Sequence, residues 1–384
     1  MTRTTLGALT AVVLVLGLLG ATLAPVAGQT PENETAVDCS FPIEVTDANG
    51  ATVTVTEEPD DVVVLAPSAA QVMWEIGAQA KVVGMPVRYH TEYLERSTEK
   101  TNVVGEKGQP QIETIVGLEP DLVLAPNVVS EDAVEQLRNA GLTVYRFKQA
   151  ASIADVIEKT RLTGRLVGEY DTAREVSART QATLDAYRNA TAGQDRPTVL
   201  YTLGGGYTAG PETFIGDVID AAGGENVAAA ANISEYDVIS NEVIVNQDPD
   251  WIVVPSGVDV PSGSGINGTT AVQEGQVLRV DRNFMHQAGP RVTHPLEAMA
   301  TTFHPDAADV SVDSASVRSP VCDADAVTPT EPATETTTTE ESVTLETNQT
   351  FGTTTDTTAT SGPGFGVVAA MLALLAAGAF LRDR

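Results

Sequence analysis

The sequence predicts an α/β fold of two lobes joined by a single long helix, set between two non-globular ends. Three observations carry that prediction. Short apolar runs such as Val62–Ala66 and Leu122–Ala125 alternate with helical stretches through residues 39–322, the pattern of parallel strands with crossover helices. Residues 152–190 break the alternation: they lack proline and place Ile153, Val156, Ile157, Leu162, Leu166, Val167, Val176 and Leu184 at helical spacing. Finally, one unit occurs on both sides of that stretch. Glu113 lies seven residues before Pro120-Asp121 and the run Leu122–Ala125, and Glu242 lies seven residues before Pro249-Asp250 and the run Trp251–Val254. A helix, a Pro-Asp turn and a buried strand in each half imply two related lobes.

The elements follow in order. In the first lobe, residues 39–151, the strand Val62–Ala66 ends at Pro67-Ser68, where Ser68 caps a helix that runs to Ile76 and stops at Gly77. After the strand Leu122–Ala125, a helix from Ser130 stops at Gly141, and Thr143–Phe147 forms the next strand. Ser152 and Asp155 then cap the long helix. At 1.5 Å per residue, residues 152–190 would span about 55 Å, too long for a crossover inside one lobe, so they read as a connecting strut. The second lobe, residues 196–322, carries strands at Val199–Leu203, Trp251–Val254 and Gln276–Val280, a helix at Phe214–Ala222 and a final helix from Pro295. The architecture expected is two Rossmann-like lobes.

The ends bound the setting. Arg3, the apolar run 6–24 and the small residues Ala24-Pro25-Val26-Ala27-Gly28 have the layout of a signal peptide over 1–28, with an uncleaved anchor as the alternative. Residues 327–362 are mostly Thr, Ser, Glu, Pro and Gly, a composition that cannot offset its ordering entropy and reads as an extended stalk. Residues 363–384 hold Pro363-Gly364-Phe365, an apolar stretch to Leu381 and the basic end Arg382-Asp383-Arg384. That tail resembles the PGF-CTERM sorting signal of haloarchaeal surface proteins, which implies that the C-terminal helix is removed and replaced by a lipid anchor at the extracellular face of the membrane.

The formal net charge of −30 excludes a nucleic-acid partner, which needs a basic face, and suits a solvated surface in high salt. Cys39 and Cys322 bracket the globular part, and in an exported protein that placement predicts one disulfide, with two free thiols as the alternative. Sequons at Asn33, Asn189, Asn232, Asn267 and Asn348 fit a surface protein.

The chemistry-bearing residues point to capture, not catalysis. Gly204-Gly205-Gly206 follows a strand, but no Gly-Lys-Ser/Thr, dinucleotide fingerprint or Gly-x-Ser-x-Gly elbow accompanies it, so it reads as a loop that lets backbone approach a ligand. The four histidines, His90, His286, His294 and His304, do not form a zinc pattern, and no metal site is assigned. His286 remains a candidate ligand contact. Two lobes on a strut favour a small molecule bound between them. Loop aromatics Tyr89, Tyr93, Tyr207, Tyr236 and Phe284 lie at strand ends or helix starts, where α/β folds bind ligands, and together they favour a large, partly apolar ligand.

Four segments carry a resemblance: Val62–Gly77, Val104–Pro126, Thr198–Asn226 and Ser240–Pro255. In order and spacing they resemble the class III substrate-binding proteins of ABC importers for cobalamin, haem and iron–siderophore complexes, over nearly all of residues 41–305. The resemblance implies two lobes joined by one long helix, no enzymatic activity, and a monomer that delivers its ligand to a permease dimer and its ATPase. It also implies that Glu113 and Glu242 dock onto permease arginines. In the cobalamin-binding members, aromatic side chains stack on the corrin; Tyr89 and Tyr236 match two of them, and Lys107 stands where a Trp would be. Asn283 and Gln287 replace an acid and an Arg of the last cleft loop. Arg88 and Arg291 are the arginines available to an anionic chelate. The resemblance thus implies cobalamin as transported ligand, with a ferric siderophore or haem as the alternative. A structural or adhesive surface protein, suggested by the stalk and anchor alone, is the alternative of another class.

Overall fold

The computed structural model describes residues 39–263 and 265–312. The signal segment, the stalk, the C-terminal tail, Cys322, Asn33 and Asn348 lie outside the described residues.

The chain enters through a hairpin of β1 (Ile43–Thr46) and β2 (Thr52–Val55), which the sequence reading had left without structure. The first lobe follows: β3 (Val62–Val64), α1 (Pro67–Glu75), β4 (Val82–Met85), β5 (Thr101–Asn102), α2 (Ile112–Gly117), β6 (Leu122–Ala125), α3 (Glu131–Asn139) and β7 (Val144–Arg146). The five strands pair in parallel in the order β5-β4-β3-β6-β7. Their apolar runs lack polar alternation because both sheet faces are covered. Val62, Val64, Leu122 and Leu124 face one core cluster, while Val63, Val123 and Ala125 face another. Helix α1 begins one residue earlier than its expected cap, with Pro67 in its first turn and Ala66 at the N-cap, and Gly77 ends it at φ 80°.

Residues 152–190 do not form one helix. They fold as α4 (Ile153–Val167) and α5 (Tyr170–Thr191), turned back on each other. The Ser152–Asp155 capping box starts α4 as expected, but Gly168 adopts a left-handed φ of 80° and ends it. Antiparallel packing follows: a Cβ on Gly164 would lie 2.1 Å from that of Ala173, and the Ser177 hydroxyl donates to the Ile157 carbonyl at 3.3 Å. Periodicity runs unbroken through the stretch because both helices are amphipathic, so the turn is visible only in Gly168. The pair still joins the lobes. Ile153, Val156 and Ile157 of α4 and Leu184 and Tyr187 of α5 sit in the core of the second lobe, while Leu166, Val167 and Ala173 at the turn sit in that of the first.

The second lobe comprises β8 (Thr198–Tyr201), β9 (Tyr207–Ala209), α6 (Phe214–Ala221), β10 (Glu225–Asn226), α7 (Val227–Ala230), β11 (Tyr236–Val238), α8 (Asn241–Gln247), β12 (Trp251–Pro255), α9 (Thr270–Gln273), β13 (Val277–Val280), α10 (Arg282–His286) and α11 (Thr293–Phe303). Four strands form a parallel sheet in the order β10-β8-β12-β13, and β9 and β11 form a separate antiparallel ribbon. Val199, Tyr201 and Val253 face one cluster, and Leu200, Ile252 and Val254 the other.

The repeated unit is reproduced in detail. Glu113 and Glu242 each occupy the second position of their helix, α2 and α8. Each helix is followed by a non-glycine residue in the left-handed region, Glu119 at φ 47° and Asp248 at φ 44°, immediately before the proline. The strands that follow, β6 and β12, pair with the first sheet strand of their lobe, β3 and β8.

Candidate ligand site between the lobes

The first strand of each lobe's sheet lies inside it with neighbours on both sides, and the loops leaving the carboxyl ends of such strands are where open α/β sheets place ligands. The loop after β4 carries Tyr89, His90 and Tyr93; the segment after β5 carries Lys107. From the second lobe come the glycine loop with Tyr207, and α10 with Arg282, Phe284 and His286.

A hydrogen-bonded relay closes the seam between the lobes. The Arg291 N–H donates to Gln71 Oε1 at 3.1 Å, and Gln71 Nε2 donates to the Tyr93 hydroxyl at 2.9 Å. That hydroxyl donates to Gln287 Oε1 at 2.6 Å, and Gln287 Nε2 donates to the His90 carbonyl at 2.8 Å. Gln71 and Gln287 are both buried, so the relay's partners are needed to offset their desolvation. Burial pushes the Tyr93 hydroxyl up to about 12, keeping it a donor. Arg291 strengthens the seam by pairing with Glu75 at 2.6 Å and lying 5.1 Å from the Tyr93 ring and 5.5 Å from the Phe284 ring. Phe284 also packs edge-on to Tyr93 and lies against His294. Arg291 and Phe284, expected as ligand contacts, are thus engaged in holding the lobes together.

The remaining candidates are Tyr89, Lys107, Tyr207, Tyr236 and His286. Tyr89 is half-buried, its ring edge-on to His90 at 5.0 Å and close enough to Gly108 that a Cβ there would meet it at 3.0 Å. This brings Tyr89 beside the turn of the exposed Lys107. Tyr207 and Tyr236 share one face of the β9–β11 ribbon, since Tyr207 pairs with Val238, two residues from Tyr236. Burial raises Tyr236 to about 12, and Thr213 is its hydrogen-bond partner.

His286 completes this group. Its Nε2 is 2.8 Å from the hydroxyl of Tyr201, which is fully buried. His286 is an exposed residue, while its ring lies among protein groups that desolvate it. Burial, then the charge of Arg282, then His90, lower its pKa to about 3, so it is neutral at physiological pH. Burial and Arg282 likewise lower His90. Arg282 has a buried Nε without a hydrogen-bond partner, and its guanidinium lies against Gly257. The sequence reading did not single out Arg282, Tyr201 or Gln71. A cation directly after a strand in a strongly acidic chain was the available signal for the first; buried Tyr201 and Gln71 gave none. Glu113 and Glu242 are exposed and away from this group, with no hydrogen-bond or ion-pair partner among the described residues.

Comparison with known proteins agrees with this architecture. The family model described as periplasmic binding protein matches residues 62–283, from the first sheet strand of the first lobe into α10 of the second. The chain belongs to the periplasmic binding protein family. Among curated relatives, a protein of Halobacterium salinarum named "Cobalamin-binding protein" is 43% identical over 310 residues, covering 76% of this chain and 84% of that protein. The "Uncharacterized ABC transporter substrate-binding lipoprotein YvrC" of Bacillus subtilis is 29% identical over 278 residues, covering 69% of this chain and 87% of that protein. Among solved structures, the periplasmic heme-binding protein RhuT from Roseiflexus superposes with a TM-score of 0.57 at 24% identity, covering 65% of this chain and 99% of that one; the likeness is of fold.

Proposed function

We propose that this protein is the extracellular substrate-binding component of an ABC importer and that its cargo is cobalamin. One observation carries the reading: the 43% identity to the Halobacterium cobalamin-binding protein covers 76% of this chain, an extent that neither lobe alone could supply. The half-buried aromatics Tyr89, Tyr207 and Tyr236 suit a large ring with an apolar face. Lys107 and Arg282 are the cations available to its polar periphery. Titration of the purified protein with aquacobalamin and with cyanocobalamin tests the assignment. Saturable heat at micromolar ligand is expected; no signal with either overturns it. Haemin and a ferric siderophore, titrated in parallel, test the second reading, which the neutral imidazole of His286 favours.

In this reading Glu113 and Glu242, on equivalent helices of the two lobes, dock the loaded protein on the permease dimer, which is coupled to its ATPase. The protein acts as a monomer without catalytic chemistry of its own. Residues 363–384 direct exchange of the C-terminal helix for a lipid anchor, and Cys39 pairs with Cys322. Mass spectrometry of the mature chain checks both: a lipidated end upstream of Leu381 and a disulfide-linked peptide pair are expected.

A further inference from the structure

His286 has the arrangement of a metal ligand without the company of one. Among the described residues no group of three or more His, Cys, Asp or Glu side chains converges as a metal site. Yet its ring is set up to donate. One nitrogen, Nε2, is fixed at 2.8 Å by the hydroxyl of Tyr201, itself immobilised by complete burial. The other, Nδ1, has no hydrogen-bond partner among the described residues, and His286 is an exposed residue. Ligating histidines are oriented in this way, with the far nitrogen hydrogen-bonded so that tautomer and ring plane are set before the metal arrives. The tautomer in which Nε2–H donates to Tyr201 leaves the lone pair on Nδ1, and ligation selects that tautomer. His90 lacks this support: its backbone carbonyl is held by Gln287, but its ring has only the edge of Tyr89.

A single fixed imidazole can supply one bond to a metal that brings its remaining ligands with it. We infer that His286 is an axial ligand to the cobalt of the bound corrinoid, replacing an exchangeable water. This inference rests on the corrinoid reading above. In the exchange the Co–O bond to water breaks and water leaves with its electron pair, while Nδ1 donates its pair to form a Co–N bond. Cobalt keeps its oxidation state, and no proton or external reagent is needed. The site would therefore select corrinoids whose upper ligand is replaceable over those in which cyanide holds that position.

The test compares aquacobalamin with cyanocobalamin on the full chain, using visible spectra at saturation. Wild-type protein is expected to move the aquacobalamin spectrum to that of the imidazole complex and to prefer aquacobalamin over cyanocobalamin by about tenfold or more. In His286→Ala and in His286→Gln, which keeps a hydrogen-bond partner for Tyr201, the spectral change and the preference should disappear. Tyr201→Phe should retain the change with the preference reduced about tenfold, as for loss of an orienting partner. Aquacobalamin bound with its spectrum unaltered, or a spectral change that persists in both His286 variants, overturns the inference while the corrinoid reading stands. Failure of wild-type protein to bind either cobalamin overturns the reading itself.

Discussion

Asp121 and Asp250 serve the same purpose in the two lobes. Each follows the proline that opens a central strand, and each carboxylate reaches across to the start of the neighbouring parallel strand. Asp121 Oδ2 accepts from the N–H groups of Asp60 and Asp61 at 3.0 and 2.9 Å, ahead of β3. Asp250 Oδ2 accepts from the N–H and the hydroxyl of Thr198 at 2.7 and 2.8 Å, at the start of β8, and the same hydroxyl accepts from the Asp250 N–H. The Pro-Asp dipeptide is a register clamp between two strands that sequence separates by about half a lobe.

The clamps should be unequal in strength. Asp121 is exposed, whereas Asp250 is half-buried and shares a reciprocal bond. Bonds to a charged acceptor contribute about 1.5–3 kcal/mol where water is excluded and less where it competes. Asp250→Ala is therefore expected to lower the denaturant midpoint more than Asp121→Ala. Urea unfolding of both variants measures the difference; equal losses would mean that the reciprocal bond to Thr198 contributes nothing.

The repeat was legible in sequence because these duties need particular residues at fixed spacing. The strands were legible because both faces of each parallel sheet are covered, leaving unbroken apolar runs. The helical pair α4–α5 was not, because an amphipathic period of 3.6 continues across a turn when both helices bury the same kind of face, and Gly168 alone marks the reversal. The site was half legible. Loop aromatics stand out against a scarce background, so Tyr89, Tyr207 and Tyr236 were singled out as candidates. Arg291 and Phe284 looked the same in sequence, and only the pairing with Glu75 and the stacking on Tyr93 assign them to the seam. The partners that orient His286 come from β8, far away in the chain, and no local pattern announces them.

Gly289 should be intolerant of any side chain. Its Cβ would fall 2.3 Å from Gln71 Oε1, and Gln71 cannot withdraw without breaking the relay to Tyr93 and Arg291. Gly289→Ala is expected to cost about 1–3 kcal/mol through overpacking and to speed hydrogen exchange at the Arg291 amide. Gly117→Ala, where a Cβ meets nothing within 4 Å, is the control and should leave both unchanged or gain slightly. Similar behaviour of the two variants would show that the seam is soft.

Glu113 and Glu242 lie in the first turns of α2 and α8, where a carboxylate is favourable at the helix end, but neither has another described partner. If they serve docking, Glu113→Ala and Glu242→Ala each reduce cobalamin uptake by cells, and the double variant abolishes it, with ligand affinity unaltered in calorimetry. Uptake at the wild-type rate in the double variant would remove both from the docking role.

Lys159 is buried in α4 and donates to the Ala288 carbonyl at 2.5 Å, and it forms no ion pair among the described residues. Burial lowers its pKa from 10.5 to about 8, a penalty on the ammonium of about 3 kcal/mol. Between about pH 8 and 10.5 the unfolded chain binds the proton that the folded chain has lost, so stability from this group rises with pH through that window. Denaturant midpoints at pH 7 and 10 should show the rise in wild type and not in Lys159→Met.

His286 predicts the opposite end of the pH range. Its folded pKa of about 3 lies below the ordinary imidazole value of 6.5, so its contribution to stability is complete above 6.5 and declines as pH falls toward 3. His286→Ala should flatten that part of the acid limb. For binding, the consequence is an imidazole that stays neutral where an unperturbed one would protonate. Aquacobalamin affinity is therefore expected to hold between pH 7 and 5, whereas an imidazole titrating at 6.5 would lose about thirtyfold over the same interval. A loss of that size centred near 6.5 would show that Arg282, His90 and burial do not keep the proton from His286, and would remove the electrostatic support for its lone pair.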